Sequence, residues 1–224
     1  MVGLFLVFEG IDGSGKGTQA ARLVETARAR GHSVASFRFP LYDHNPFSRA
    51  IGRYLNGDLG SLEDVHPALS ALLYACDRFH ARPDLVRAIE DCDLVVCDRY
   101  VASNLAHQGS QLEGAEREEL LEWLADVEYG EFQLPRPDLV VLLDTNVTLA
   151  RELVAKKGER SYTTLEADIL ESNAEHVDAS REIYLELARR DGWYVVGTAR
   201  EDGAVRDVDD IAAEVWAAVE RLLP

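Results

Sequence analysis

Five apolar residues, Leu4–Phe8, lead through Glu9 into Gly10-Ile11-Asp12-Gly13-Ser14-Gly15-Lys16-Gly17-Thr18, and an amphipathic stretch follows at once. A continuous apolar run of this kind reads as a strand buried on both faces of a parallel sheet. From Lys16 to Arg30, the residues Ala20, Leu23, Val24 and Ala27 fall on one face of a helix that Gly31 stops. A glycine-rich turn between such a strand and such a helix is the context of a phosphate-binding loop. Its glycines let backbone N–H groups turn inward around a β-phosphate, and the helix N-terminus adds positive potential. Lys16 can reach the β- and γ-phosphates as a point charge.

The remaining pattern supplies the sheet that such a loop needs. Ser33–Phe37, Leu94–Cys97, Leu139–Leu143 and Trp193–Val196 read as further strands. Pro46–Leu55, Val65–Glu90 (broken or restarted near Pro83), Glu116–Glu128, Val147–Lys157, Ala174–Arg190 and Val208–Leu222 read as helices. The alternation predicts an α/β fold, a five-stranded parallel sheet covered by helices on both faces, in one domain spanning residues 1–224. Ligands of such sheets bind beyond the carboxyl ends of the strands, which points to the segments after Phe8, Phe37, Cys97 and Leu143.

The chain carries 40 acidic against 23 basic side chains, a net charge of −17, and its lysines are Lys16, Lys156 and Lys157 alone. That surface repels nucleic acid and anionic membranes, so neither is expected as a partner. It repels anionic nucleotides too, so an anion site must concentrate Arg, Lys and backbone N–H groups locally. An acidic, lysine-poor surface suits a halophile, whose concentrated salt screens the self-repulsion. No apolar run approaches the roughly 18 residues of a membrane span. Met1 to Gly10 is too short for a secretory signal and lacks a basic flank. Cys76, Cys92 and Cys97 are odd in number and set among apolar residues, which predicts reduced core thiols in a cytoplasmic protein. No Cys/His cluster has zinc spacing.

The position after Lys16, where Ser or Thr would ligate Mg²⁺, is Gly17, and the hydroxyl comes one place later at Thr18. Mg²⁺ is therefore expected to be held mainly by phosphate oxygens and water, with Asp12 and Asp98 acting near it. Asp98-Arg99-Tyr100 stands at the end of the third strand. An acid there can support a metal or hydrogen-bond an attacking phosphate, and an arginine can grip transferring phosphoryl oxygens.

Several strings share order and spacing with thymidylate kinases. They are Phe8-Glu9-Gly10-Ile11-Asp12-Gly13-Ser14-Gly15-Lys16, Phe39-Pro40-Leu41-Tyr42, Leu72-Leu73-Tyr74-Ala75-Cys76-Asp77-Arg78, Asp98-Arg99-Tyr100-Val101-Ala102-Ser103-Asn104, Leu134-Pro135-Arg136-Pro137-Asp138-Leu139 and Asp168-Ile169-Leu170-Glu171. The chain resembles that family over nearly its whole length. The resemblance implies a P-loop kinase that uses ATP and Mg²⁺ to phosphorylate dTMP, acting as a homodimer. It implies that Tyr74 stacks on thymine, that Arg78 hydrogen-bonds the base and that Asn104 helps read it. Tyr42, Arg99 and Asp12 match groups around the acceptor phosphate and sugar, and Phe39 lines the pocket. Asp98, Ser103, His107 and Gln108 complete the expected acceptor side. His107 stands where the family usually has Tyr or Phe near the sugar edge.

The charged segment from about 151 to 172 resembles the family's lid. Arg151, Lys156, Lys157 and Arg160 cluster there in an otherwise acidic chain. A lid closes over ATP, brings cations to the transferring group and excludes water. Some thymidylate kinases carry an arginine in the phosphate loop; here that place is Gly13, so the cation is expected from Arg151 and Arg160. Another monophosphate or deoxynucleoside kinase stays open, as does a weakly active nucleotide-binding protein. A GTPase switch would need an N-K-x-D string, and none is present.

Overall fold

Strand β1 (Leu4–Glu9) has every side chain buried. Burying a Phe, Leu or Val contributes about 1.5–3 kcal/mol, against about 1–2 kcal/mol to order one residue's backbone, so burial holds this strand in place. It pairs in parallel with β3 (Leu94–Asp98) on one side and β4 (Leu139–Asp144) on the other. Outside these lie β2 (Val34–Arg38) and β5 (Tyr194–Gly197), giving the order β2-β3-β1-β4-β5 with every pairing parallel. The chain forms the five-stranded α/β sheet that its sequence predicts. The computed structural model describes residues 3–42, 44–61, 64–155, 174–200 and 202–223.

The period of two along the strands divides the core into two layers. Leu4, Leu6 and Phe8 join Leu94, Val96, Val141 and Leu143 against helix α1 (Lys16–Ala29) and the closing helix α8 (Val208–Val219). Phe5, Val7, Val95, Cys97 and Leu142 face the other way. They meet α3 (Pro67–Asp91), α4 (Val101–Gly109), α5 (Gly114–Ala125) and α7 (Ala174–Asp191). Helix α2 (Pro46–Leu55) is capped by Asn45 and builds a satellite core from Ile51, Tyr54 and Leu55, packed by Tyr42, Val65, Leu73 and Tyr74.

Three elements depart from the sequence reading. α3 runs unbroken through Pro83. Pro83 is exposed, so the Phe79 carbonyl it frees can turn to water, while Ala81 and Leu85 anchor the helix on either side. α4 was not anticipated as a helix. Eight of its nine residues are buried, which erases the polar stripe that reveals a helix. The helix expected over Glu116–Glu128 begins at Gly114, ends at Ala125 and passes into a π-helical segment, Asp126–Glu131. α6 spans Val147–Ala155. Lys156, Lys157, Arg160 and the Asp168–Glu171 string lie outside the described residues, as does most of the expected lid.

Candidate active site

The glycine-rich loop leaves β1 and opens α1 as the motif requires. Gly15 caps α1 in the left-handed region, at φ 92°, with no side-chain capping bond. The amides of Lys16, Gly17 and Thr18 have no carbonyl one turn earlier in the helix, so the helix end is free to receive an anion. Gly13 has φ 83°, and a Cβ there would fall 2.2 Å from the Ala150 carbonyl oxygen of α6. A side chain such as arginine could not sit at that place without displacing α6. Lys16 Nζ spans the loop, donating to the Ile11 carbonyl at 2.7 Å and lying 3.4 Å from Ser14 Oγ. Burial, together with the nearby Arg99 charge, pushes its pKa down to about 8.

Asp98 ends β3 beside this loop. Its Oδ1 is buried without a hydrogen-bond partner among the described residues, and Oδ2 lies 3.5 Å from Arg38 Nε. A Cβ at Gly17 would stand 3.1 Å from Asp98 Oδ2, so the carboxylate and the loop face each other directly. The next residue, Arg99, takes φ 69°, uncommon for a non-glycine residue and a mark of functional sites. Its Nη2 donates to Asp12 Oδ1 at 2.6 Å, and its Nη1 donates to Ser103 Oγ at 3.2 Å. Burial pushes the Asp12 pKa up, but the Arg99 and Lys16 charges outweigh it and hold Asp12 well below the carboxylate range.

Arg99 Nη1 also lies 3.2 Å from His107 Nε2. A guanidinium only donates, so His107 Nε2 accepts and a neutral ring carries its proton on Nδ1. Burial, then the Arg99 charge, pushes the His107 pKa well below the usual imidazole value. The ring sits 5.7 Å from His176 and 6.0 Å from Tyr184.

Beneath this cluster lies Glu9, fully buried and absent from the expected site residues. It accepts from Tyr100 N at 2.9 Å, Ser103 N at 3.1 Å and Ser103 Oγ at 2.6 Å, and Tyr184 OH lies 3.2 Å away. Burial raises its pKa, and the Ser103 bond and Arg99 charge oppose that. Glu9 thereby locks the start of α4 onto β1. A signal existed for it: an acid ending an all-apolar buried strand demands hydrogen-bonding partners.

A second polar cluster gathers where α3, α4 and the π-helical segment meet. Arg78 is buried and donates from Nε and Nη2 to Glu128, at 2.5 and 2.7 Å. Asn104 Nδ2 donates to the same carboxylate at 2.8 Å and to the Ala71 carbonyl at 3.1 Å. Asp77, one place before Arg78, accepts from Leu41 N at 2.9 Å and from Asn45 Nδ2 at 2.6 Å. It ties the Phe39–Tyr42 segment to α3. Neither Glu128 nor Asp77 was among the expected site residues.

The other candidates fall into place around these clusters. Phe39 is buried with its ring 6.0 Å from Tyr100. Tyr42 and Tyr74 are half-buried on the satellite core beside α2. Gln108, at the far end of α4, accepts from Ser70 Oγ at 2.7 Å and Gln111 Nε2 at 2.8 Å. Arg151 is exposed on α6, next to the Ala150 carbonyl that touches the loop. Arg160 lies outside the described residues. Asp12, Lys16, Asp98, Arg99, Ser103 and His107 therefore share one cluster, and Arg78 and Asn104 share another.

The family model described as thymidylate kinase matches residues 8–209. A thymidylate kinase of Leifsonia xyli is 37% identical over 217 residues, covering 95% of this chain and 92% of that protein. One from Desulforudis audaxviator is 36% identical over 226 residues, covering 100% and 93%, and one from Mycobacterium tuberculosis is 32% identical over 203 residues, covering 89% and 94%. A solved structure of thymidylate kinase from Candida albicans shares the fold with a TM-score of 0.76, at 20% identity, over 98% of this chain and 92% of that one. A match running from the phosphate loop to the last helix, with relatives above 30% identity along nearly the whole chain, makes this protein a member of the thymidylate kinase family.

Proposed function

We propose that this chain transfers the γ-phosphoryl group of ATP to the 5′-phosphate of dTMP, giving dTDP and ADP. The observation that carries the reading is the convergence of Asp12, Lys16, Asp98 and Arg99 at the carboxyl ends of β1 and β3, above an open helix N-terminus. The loop from Gly10 through Gly13, Ser14, Gly15, Lys16, Gly17 and Thr18 cradles the ATP phosphates, and Lys16 supplies the fixed cation. The buried Oδ1 of Asp98, unpartnered among the described residues, fits Mg²⁺ or a water bound to it, and Asp12 and Asp98 both act on the Lys16 charge. Mg²⁺, when bound, neutralises charge on the phosphate oxygens.

Arg99 joins the two substrates' sites. Held by Asp12 and Ser103, its guanidinium stays where a phosphate acceptor would approach, so little reorganisation is left for the reaction. The acceptor oxygen is already anionic near pH 7, and no strong general base is required. Tyr74 offers a ring face, Arg78 and Asn104 offer polar groups to the base, and Phe39, Tyr42, Ser103, His107 and Gln108 surround the sugar and phosphate. Arg151 and Arg160 belong to a lid over residues 151–172 that closes on ATP.

The same reading makes the protein a cytoplasmic homodimer with no nucleic acid or membrane partner. Among the described residues no helix is long and apolar enough to cross a membrane. Leu69 is 62% exposed on α3 and is free for a dimer contact, whereas Leu73 packs on the satellite core. The charge of −17 supports adaptation to concentrated salt, so activity should rise as salt is added to dilute buffer. A coupled ADP-release assay tests the main proposal with dTMP, dUMP, UMP and thymidine as acceptors. ADP release that depends on dTMP above the others is the expected result. Preference for thymidine or another monophosphate would replace it.

A further inference from the structure

Arg99 Nη1 donates to Ser103 Oγ at 3.2 Å, and a guanidinium can only donate. Ser103 Oγ has one hydrogen and two lone pairs, so it must keep a lone pair towards Arg99 and send its hydrogen elsewhere. Glu9 Oε2 takes that hydrogen at 2.6 Å, the short distance of a hydroxyl on a charged oxygen. Glu9 Oε1 is held in turn by Tyr100 N and Ser103 N, at 2.9 and 3.1 Å, which fixes the plane of the carboxylate. Tyr184 OH, from α7, lies 3.0 Å from Ser103 Oγ and 3.2 Å from Glu9 Oε2, and can donate to either. Glu9, Ser103 and Tyr184 are all buried, so none of them can exchange its partner for bulk water.

We infer that Glu9 is a positioning residue for the reaction: an acceptor-only carboxylate at the end of β1, it turns the Ser103 hydroxyl so that a lone pair receives Arg99. The bonds run from strand to serine to arginine and end on the guanidinium that faces the acceptor phosphate in the proposed reaction. The inference rests on that reading and deepens it. An amide in place of the carboxylate would reverse the order. With its oxygen on the two backbone amides, its nitrogen would occupy the Oε2 place and donate to Ser103 Oγ. The amide, Tyr184 and Arg99 would then contest two lone pairs. Turning the serine hydrogen onto Tyr184 would only leave the buried tyrosine hydrogen unpaired. Of the three donors, Arg99 alone has other partners, Asp12 and His107, so Arg99 gives way. A carboxylate that served only to lock α4 onto β1 would need the two backbone bonds and would have no use for the serine hydrogen.

The test is kcat and the KM for ATP, with dTMP as acceptor, in wild type, Glu9→Gln, Ser103→Ala and the double variant Glu9→Gln/Tyr184→Phe, with melting temperatures for all four proteins. Glu9→Gln should lower kcat roughly ten- to a hundredfold, the scale of a small misplacement of a reacting group. The KM for ATP should stay within about threefold of wild type, because the phosphate loop is untouched. Ser103→Ala removes the oxygen that receives Arg99 and should lower kcat by a similar factor; it carries the test if Glu9→Gln does not fold. Adding Tyr184→Phe to Glu9→Gln removes one of the contesting donors, so kcat should rise by about threefold or more over Glu9→Gln alone. A merely structural role predicts the opposite, since loss of a second buried hydrogen bond would lower melting temperature and turnover together. Near-wild-type kcat in Glu9→Gln or Ser103→Ala would overturn the inference while leaving the kinase reading intact. A double variant no faster than Glu9→Gln would overturn it likewise. Absence of any turnover on dTMP in wild type would remove the kinase reading, and the inference with it.

Discussion

The two ends of the proposed site are built in opposite ways. At the phosphate end, nine consecutive residues, Gly10–Thr18, supply loop, helix terminus and cation, and the main internal bonds are short-range, such as Lys16 to Ile11. At the base end, every contact is long-range: Arg78 to Glu128 spans 50 residues, Asn104 to Glu128 spans 24 and Asn104 to Ala71 spans 33. The phosphate end uses backbone dipoles that any sequence with suitable glycines provides. The base end uses side chains whose polarity is set by a partner that no local pattern reveals. Arg99 is the joint, bonded to Asp12 of the loop and to Ser103 of α4.

If the ends are distinct, breaking each should have a different signature. The largest effect belongs to Lys16→Ala. Loss of a preorganised cation facing the transferring group costs about 2.7–4 kcal/mol, or roughly 10²–10³ in kcat, with the fold kept. Near-normal turnover would remove the loop from the active site. At the base end, Arg78→Met should instead strike stability. It leaves the Glu128 carboxylate buried and unpaired, a cost of about 3–5 kcal/mol, which for a chain of this size lowers the melting temperature by roughly 10 °C. An unchanged thermal melt would show that the pair carries no structural weight.

The pH dependence sharpens the contrast, because Lys16 titrates within reach. With its pKa at about 8 in the folded protein against an ordinary 10.5, Lys16 is charged below pH 8 and neutral above. Between those values the unfolded chain binds the extra proton, so the ligand-free protein gains stability as pH rises through that window. Affinity for phosphate changes in the opposite sense. The value of kcat/KM for ATP should decline above pH about 8, approaching tenfold per unit, while dTMP affinity changes less. A flat ATP profile to pH 10 would mean that the Lys16 charge is not what holds the phosphates.

The smallest expected effect is at the sugar edge. His107 accepts from Arg99 and stands where the resemblance implies the larger ring of a Tyr or Phe. His107→Tyr should lower turnover of the ribose analogue of dTMP relative to dTMP by about tenfold, with base choice unaffected. An unchanged ratio of kcat/KM would show that another residue reads the 2′ position.

What the sequence made legible follows the same division. β1, the loop and α1 could be read because burial, glycine spacing and helical periodicity are local signals. The Asp98–Asn104 string could be read as chemistry but not as a helix, since α4 is buried on nearly every side. Arg78 and Asn104 came from family resemblance, and their anchoring on Glu128 could not: Glu128 sits in Asp126–Glu131, where nothing in the local pattern distinguishes it from neighbouring acids. Asp77 was hidden by the same ambiguity, an acid on a helix whose burial shows only once the Phe39–Tyr42 segment folds over it. Pro83 misled in the other direction, because buried residues on both sides keep α3 unbroken through it.

The separation of the two ends is tested most directly by measuring dTMP binding calorimetrically in wild type and Lys16→Ala, alongside conversion of dTMP to dTDP by both. Distinct ends predict that Lys16→Ala loses at least about a hundredfold in turnover while binding dTMP within about threefold of wild type. Loss of dTMP affinity in step with loss of turnover would contradict them.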